Sequence, residues 1–299
     1  MITSPILALH MPDGLIEGHW LALGWVCAGL LAWFGTRRLA DSDIPKIALL
    51  CAVFFITSII PIQIPGGPRA HLLLNGLIGI ILGRQCVLAF APALFLQAVL
   101  FSHGGFLTLG INLCVMSLPA LLSRQLFVGL LRLGETFPRW LLFVAEMLAH
   151  FATLMVLSCV AGSLYISFQK QDFYLTPEGF FSPLNNAFVI PICMAVSGII
   201  AIATRQATKD SIFSAGFFAG EITVLVSLTA NCLVMFFCGV PDLASVFLIT
   251  LLVHLPLAIV EGLITGSIIQ FIHKVKPELM PLSSTSDQKT SSIPDILKS

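Results

Sequence analysis

The stretch that decides the fold is "HMPDGLIEGHWLALGWVCAGLLAWFGT", residues 10–36, in which a polar turn precedes an apolar run. Residues 19–36 contain no Asp, Glu, Lys or Arg. A helix of about 20 mostly apolar residues is long enough to cross a bilayer. Because comparable runs recur along the chain, we predict an all-α, polytopic transmembrane helix bundle.

The composition of the whole chain supports this prediction. Of its 299 residues, 57% are hydrophobic and 10% are charged, and the mean hydropathy is +0.99. A soluble domain carries about 25% charged residues, so a soluble globule is excluded. The formal net charge is zero and no basic stripe with interleaved aromatics occurs, so we expect no nucleic-acid partner. The eight cysteines form no C-x-x-C pair, which favours small buried apolar side chains over a zinc or redox cluster.

Nine apolar segments predict nine membrane spans, with one integral membrane transport domain over residues 1–276. The segments are 19–36, 45–62, 68–83, 85–102, 106–123, 140–168, 187–204, 211–238 and 243–272. The third is short enough to be a half-helix, so seven or eight spans result if 68–102 folds differently. Residues 277–299, rich in Ser, Lys and Asp, predict a disordered tail.

The distribution of basic residues predicts the orientation in the membrane. With the N-terminus outside, all of the fifteen Lys and Arg residues except Arg69 and Lys170 fall in inside loops or in the tail. Cytoplasmic loops carry the excess of Lys and Arg in membrane proteins. We therefore place His10 and His71 outside and the C-terminus in the cytoplasm.

These two histidines are candidates for metal binding. His10 lies directly before a Met-Pro-Asp-Gly turn, and His71 follows the rigid Pro-Gly-Gly-Pro turn of residues 65–68. Neutral imidazole is the commonest side-chain ligand for transition metals. The alternative is that each is an interfacial histidine with an ordinary hydrogen bond.

Ionisable residues also occur inside the predicted spans, where they are costly unless paired or hydrated. They are Glu146, His150, Glu221, His254 and Glu261. Glu146 and His150 are four residues apart and share a helix face, and His254 and Glu261, seven apart, share another. They favour either a functional relay or hydrogen bonds between helices.

Motifs for ATP hydrolysis and for other enzymes are missing from the sequence. The phosphate loop G-x-x-x-x-G-K-[ST] is absent, and so are H-E-x-x-H and G-x-S-x-G. We therefore expect no enzyme activity. Energy for transport would come from an ion gradient or from a partner.

Four stretches occur in the order found in a known family. They are "HMPDGLI" at 10–16, "IPGGPRAHLLLNGLIGIILG" at 64–83, "FSHGGFLTLGINL" at 101–113, and "HLPLAIVEGLITG" with "VKPEL" between 254 and 279. The chain resembles the cobalt and nickel substrate-capture (S) components of energy-coupling-factor (ECF) transporters, the CbiM/NikM family. The resemblance implies a seven-span core, so residues 140–205 look like an inserted helix pair.

The resemblance also implies a nitrogen-rich site for a transported Co²⁺ or Ni²⁺, with no permanently bound cofactor. Its ligands, in a roughly square-planar arrangement, would be a terminal amine, the amide nitrogen and the imidazole of His10, and the imidazole of His71. The family's first histidine is second in its chain, so the amine implies a native start at Leu9, by initiation or by trimming; otherwise the site lacks this amine. Further pocket candidates are Asp13, His103 and Asn112. The family usually has aspartate where this chain has His103, which ranks below the first two histidines as a ligand.

The implied function is metal import across the bacterial plasma membrane, in support of cobalamin biosynthesis or of nickel uptake. Separate ATPase subunits, a transmembrane scaffold (T) subunit and a small accessory membrane subunit are the implied partners. The alternative is a stand-alone, proton-coupled secondary transporter of a divalent metal that uses Glu221, His254 and Glu261.

Overall fold

The fold was analysed in a computed structural model of the full chain. It describes residues 10–60, 62–63, 69–136, 187–207, 211–239 and 243–280, with scattered helical positions between 141 and 158. Leu9 and Glu146, two of the predicted site residues, lie outside the described residues.

The described chain is built from helices, apart from one short strand pair. The helices are α1 (Gly18–Thr36), α2 (Ile44–Ile59), α3 (Asn75–Leu82), α4 (Cys86–Phe101), α5 (Leu109–Thr136), α6 (Val189–Ala207), α7 (Ser211–Phe237) and α8 (Leu243–Val275). Strands β1 (Ile62–Gln63) and β2 (Arg69–Ala70) pair antiparallel, with Ile62 opposite Ala70. The pair lies in the chain between α2 and α3.

Six helical segments of the described chain are long and apolar enough to cross a membrane. They are Gly18–Thr36, Asp41–Ile59, Asn75–Phe101, Leu109–Leu133, Ile212–Phe237 and His254–Val275. The protein is therefore a polytopic helical membrane protein. The count of nine spans and the outside N-terminus stay predictions, because most of 140–168 lies outside the described residues.

The segment Asn75–Phe101 is not one straight span. Its first helix, α3, has eight residues and is about 12 Å long, too short for a hydrocarbon core of about 30 Å. Gly83, at φ +55°, ends α3 and opens a 3₁₀ turn. The rings of His71 and His103, which flank the segment, lie 5.1 Å apart. Since both flanks meet at one end of the bundle, α4 runs back towards the end where α3 begins.

Helices α2 and α4 lie side by side and point the same way. Near their starts, Gln85 Nε2 donates to Asp43 Oδ2 at 2.7 Å. Near their ends, Gln97 Nε2 donates to Ser58 Oγ at 2.5 Å. Two parallel helices require a return segment between them, and among the described residues the strand pair and the short α3 lie between them in the chain.

Helix α5 is the centre of the bundle and packs against α1, α3, α4 and α7. Close approach depends on glycine where helices cross. A Cβ on Gly76 of α3 would lie 2.8 Å from the Cα of Gly220 of α7, and one on Gly216 would lie 3.0 Å from the Cα of Gly266 of α8. These glycines hold α3, α7 and α8 together, which places the turn before α3 beside α8.

Three boundaries differ from the predictions, and the first is that α3 begins at Asn75 and not at residue 68. Helix α5 continues to Thr136 instead of ending near 123, and a 3₁₀ turn follows α8, so the described chain is structured as far as Met280. Both extensions have one cause, a second apolar cluster at this end of the bundle. Phe127 and Leu131 of the longer α5 pack there with Met280, which is 4% exposed. The predicted tail thus begins with ordered residues, and residues 281–299 lie outside the described chain.

Candidate metal centre

Three histidines from three separate segments meet at one end of the bundle. His10 precedes α1, His71 precedes α3, and His103 joins α4 to α5. One ligand nitrogen of each lies within 4.8 Å of the others. His10 and His71 are buried, at 2% and 3% exposed, and His103 is partly buried. The structure thus brings together the two histidines of the predicted site and one that the sequence ranked lower.

The three imidazole rings form a nearly equilateral triangle. The ring centroids are 5.0 Å apart for His10 and His71, 5.0 Å for His10 and His103, and 5.1 Å for His71 and His103. The planes of His10 and His71 are nearly parallel, at 11°, whereas His103 is inclined to them by 80° and 70°.

Most of the buried nitrogens of these rings have no hydrogen-bond partner among the described residues. This holds for both nitrogens of His10 and for Nε2 of His71 and of His103. The second nitrogen of His71, Nδ1, lies 3.3 Å from the carbonyl oxygen of Leu72, which favours a lone pair on Nε2. A buried polar atom without a partner is costly, and a metal ion would supply the missing partner.

The environment keeps the three imidazoles neutral. Burial, together with the neighbouring His103, lowers the pKa of His71 from 6.5 to about 3. Burial also lowers the pKa of His10 well below 6.5, with His71 and His103 adding to the effect, and lowers the pKa of His103. Metal binding needs an unprotonated imidazole, so these side chains are ready to coordinate at neutral pH.

Asp13 fixes the loop that follows His103. Its carboxylate accepts hydrogen bonds from the backbone N–H groups of Phe106, Leu107 and Thr108, at 2.9, 2.9 and 3.0 Å. These amides lie just before α5, where a carboxylate satisfies free N–H groups and complements the helix dipole. Asp13 therefore ties the His10 segment to the His103 loop, mainly through backbone amides, and the Thr108 hydroxyl also donates to it at 3.4 Å.

Asn112 and Thr108 hold the residue next to His10. The Met11 N–H donates to Asn112 Oδ1 at 2.9 Å, and the Met11 carbonyl accepts from Asn112 Nδ2 at 3.1 Å and from Thr108 Oγ1 at 2.6 Å. The backbone N–H of Gly105 adds a third bond to this carbonyl at 2.9 Å. Both polar backbone groups of Met11 are thus satisfied, which fixes the position of the adjacent His10.

Glu261 fixes the turn that carries His71. Its carboxylate, 1% exposed on α8, accepts hydrogen bonds from the backbone N–H groups of Leu73 and of Leu74, the second at 2.8 Å. Leu74 has φ +49°, and α3 begins at the next residue. Sequence reasoning assigned Glu261 to a relay or an interhelical bond. It missed this capping role because no local pattern links residue 261 to an amide near residue 73.

The remaining predicted intramembrane residues fall into two places. His254 is buried, its Nδ1 lies 2.8 Å from the Thr250 carbonyl oxygen, and it interacts electrostatically with His10 and His71. His150, by contrast, packs on the ring of Phe217 at 5.4 Å and interacts electrostatically with Glu221.

These features define a polytopic helical membrane protein with a buried three-imidazole cluster. Comparison with known protein families identifies it further. The family described as "Cobalt uptake substrate-specific transmembrane region" (CbiM) matches residues 10–196 and 185–279. The chain belongs to this family of cobalt and nickel transport components, as the resemblance of its motifs implied. A transport component is a non-enzymatic kind of protein.

Two curated relatives and one solved structure show the extent of the similarity. The chain is 32% identical to the cobalt transport protein CbiM of Geobacter sulfurreducens over 164 residues, 52% of this chain and 47% of the relative. It is 32% identical to the fused nickel transport protein NikMN of Rhodobacter capsulatus over 110 residues, 35% and 31% of the two chains. The chain thus spans about half the length of these relatives or less. The crystal structure of a transition metal transporter has the same fold, with a TM-score of 0.54 and 17% identity, and covers 94% of this chain and 99% of that chain.

Proposed function

We propose that the protein is the substrate-binding membrane subunit of an ECF-type transporter that imports Co²⁺ or Ni²⁺. The observation that carries the proposal is the meeting of the buried His10 and His71 with the partly buried His103 at one end of a membrane bundle, each with an unpartnered ring nitrogen among the described residues. Imidazole nitrogens suit late first-row divalent ions, and the burial keeps these imidazoles neutral. The protein would be located in the bacterial plasma membrane, with this end outside.

The bundle offers a route from binding to release. The ion would shed water and bind His10 and His71. Glu261 of α8 is hydrogen-bonded to the turn that carries His71, so a movement of α8 would displace one ligand relative to the others. Separate ATPase subunits and a T subunit would drive this movement and open the site to the inside.

The terminal amine remains part of the proposal. A native chain that begins at Leu9 would place an amine one residue from His10, within chelating distance of the same ion. N-terminal sequencing and intact mass of the native protein test this. A native chain that retains residues 1–8 would remove the amine from the ligand set.

The alternative transporter would use Glu221, His254 and Glu261 as a proton relay. The contacts of Glu261 with two backbone amides support a structural role for this carboxylate. Metal uptake into vesicles that contain this chain alone, abolished by an uncoupler, would favour the alternative. Uptake that requires the ATPase and T subunits favours the ECF assignment.

The decisive test of the site is a metal titration of the purified chain with the variant His71→Ala. We expect saturable Co²⁺ or Ni²⁺ binding by the wild type and none by the variant. His19→Ala is the matched control, because His19 lies at the start of α1 with its side chain 64% exposed. Binding by His71→Ala equal to that of His19→Ala would refute the site.

A further inference from the structure

His103 lies beside the two predicted metal ligands, His10 and His71. If the protein binds a metal as proposed above, the position of His103 bears on how that metal is held. We propose that His103 is a third imidazole ligand and that the site binds its ion tetrahedrally, so that it prefers Co²⁺ to Ni²⁺. The fourth position is left for water or for one further ligand.

The triangle formed by the three imidazole rings has the shape expected around a tetrahedral ion. With nitrogens about 2.1 Å from a tetrahedral ion, three ring centroids stand about 5.2 Å apart in all three pairs. Around a square-planar ion, two pairs would be about 4.5 Å apart and the third about 6.4 Å. The observed centroid distances of 5.0, 5.0 and 5.1 Å are equal and close to the tetrahedral value.

One buried ring nitrogen of His103 is free to bind a metal. Its Nε2 is buried without a hydrogen-bond partner among the described residues. An imidazole that merely closed a loop would donate or accept a hydrogen bond there. One ring nitrogen of His103 lies within 4.8 Å of a ring nitrogen of His10 and of His71.

The backbone around His103 is held in place by its contacts. Its N–H donates to the Gln97 carbonyl oxygen at 3.2 Å, and it lies between Ser102 at φ +49° and Gly104 at φ +76°. A Cβ on Gly104 would lie 3.3 Å from the Cβ of His10, so the loop presses directly on the His10 segment. A ligand on a preset loop enters the coordination shell through a rotation of its side chain.

The chemistry of the ions gives the consequence for selectivity. At a site without geometric bias, Ni²⁺ binds more tightly than Co²⁺. A tetrahedral three-imidazole site opposes this order, since Ni²⁺ favours tetragonal geometry whereas tetrahedral N-donor sites suit Zn²⁺-like ions. Three imidazoles also form a complete site in the full chain, without a terminal amine.

The experiment titrates the purified full chain with Co²⁺ and with Ni²⁺ separately, and records visible absorption of the Co²⁺ form. We expect the wild type to bind Co²⁺ at least about tenfold more tightly than Ni²⁺ and to show the intense visible bands of tetrahedral Co²⁺. His103→Gln should lower the Co²⁺ affinity at least about 30-fold and abolish the bands. His19→Gln should change neither.

The outcomes separate this inference from the proposed function. Tight binding by His103→Gln with the wild-type spectrum overturns the role of His103 while leaving the function intact. Weak octahedral-type bands in the wild type, or a preference for Ni²⁺, overturn the tetrahedral site. X-ray absorption of the wild-type Co²⁺ form counts imidazoles without any variant, and two rather than three would also overturn it. A wild type that binds neither ion overturns the proposed function itself.

Discussion

The two turns that carry His71 and His103 are built alike but differ in burial. Each histidine lies shortly before a helix. The backbone amides just ahead of that helix donate hydrogen bonds to a carboxylate from a distant part of the chain. Glu261, which serves the His71 turn, is 1% exposed and comes from α8, 188 residues after Leu73. Asp13, which serves the His103 loop, is exposed at the surface. Water can take the place of the exposed Asp13 carboxylate but not of the buried Glu261 carboxylate. Losing these hydrogen bonds should therefore lower the free energy of unfolding more at the His71 turn than at the His103 loop.

The largest effect is expected for Glu261→Gln, which tests the buried turn. The glutamine keeps the shape of the side chain but offers one acceptor for two amides, so one buried N–H loses its partner. We expect a loss of about 3 kcal/mol in the free energy of unfolding. The metal affinity should fall at least about tenfold as the His71 turn shifts. Thermal unfolding of the detergent-solubilised protein and a Co²⁺ titration measure the two quantities.

The matched control is Glu17→Gln, the same change at a glutamate whose side chain is 77% exposed before α1. It should behave as the wild type in both measurements. Equal behaviour of the two variants would show that the buried carboxylate does not hold the turn.

The next largest effect is expected for Gly105→Ala, which disturbs the contact between Asp13 and the His103 loop from the side of the loop. A Cβ at residue 105 would overlap the carboxylate and the backbone nitrogen of Asp13, so the loop would have to move away from its cap. We expect the free energy of unfolding to fall by about 2 kcal/mol and the affinity for Co²⁺ to fall severalfold. Gly18→Ala is the control, because nothing lies within 4 Å of a Cβ there. A Gly105→Ala protein as stable as the control would contradict the observed packing.

The sequence predicted the helices well because each is a continuous apolar run. A histidine on a proline and glycine turn beside such a run is a local signal, and it led to the choice of His10 and His71 as metal ligands, which stays a prediction although their rings lie 5.0 Å apart. Helix α5 runs past its predicted end, because its last turns pack Phe127 and Leu131 into a cluster with Met280, a contact that only the fold reveals. The fold class was therefore predictable, whereas this helix boundary depended on tertiary packing.

The rest of the candidate site depends on contacts between residues far apart in the chain. The role of His103 follows from the return of α4, which brings residue 103 beside residue 71. The sequence left Glu261 open between a relay and a hydrogen bond between helices, because the role of a buried carboxylate depends on partners that are distant in the chain. His150 was paired with Glu146 by helix spacing, and the described structure shows it against Phe217 and near Glu221.

A smaller effect is expected for Asp13→Asn at the exposed cap. The asparagine retains one acceptor oxygen, and water can reach the amides that lose the other oxygen. We therefore expect the free energy of unfolding to fall by about 1 kcal/mol. The affinity for Co²⁺ should fall less than in Glu261→Gln. The control is Asp41→Asn, at an exposed aspartate between α1 and α2. A larger loss at Asp13 than at Glu261 would reverse the proposed order of the two turns.

The smallest effect is expected for a change from pH 7 to pH 6, which should lower the free energy of unfolding by under about 1 kcal/mol, and it distinguishes the two turns by their histidines. In the unfolded chain an imidazole takes up a proton near its ordinary pKa of 6.5, whereas burial lowers the pKa of His71 to about 3 in the folded protein. Between these values the unfolded state binds more protons. The metal-free protein should therefore lose stability as the pH falls from 6.5 towards 3.

Metal binding follows the folded-state pKa instead, because only neutral imidazole coordinates. The affinity for Co²⁺ should stay level from pH 8 to pH 6.5, while an ordinary histidine pair would already begin to lose affinity near 6.5. Below that, the partly buried His103 should protonate before the fully buried His71. Titrations at a series of pH values, repeated with His103→Gln, would show this as a later onset of the loss in the variant. An onset at pH 6.5 in both proteins would mean that neither turn shields its imidazole from water.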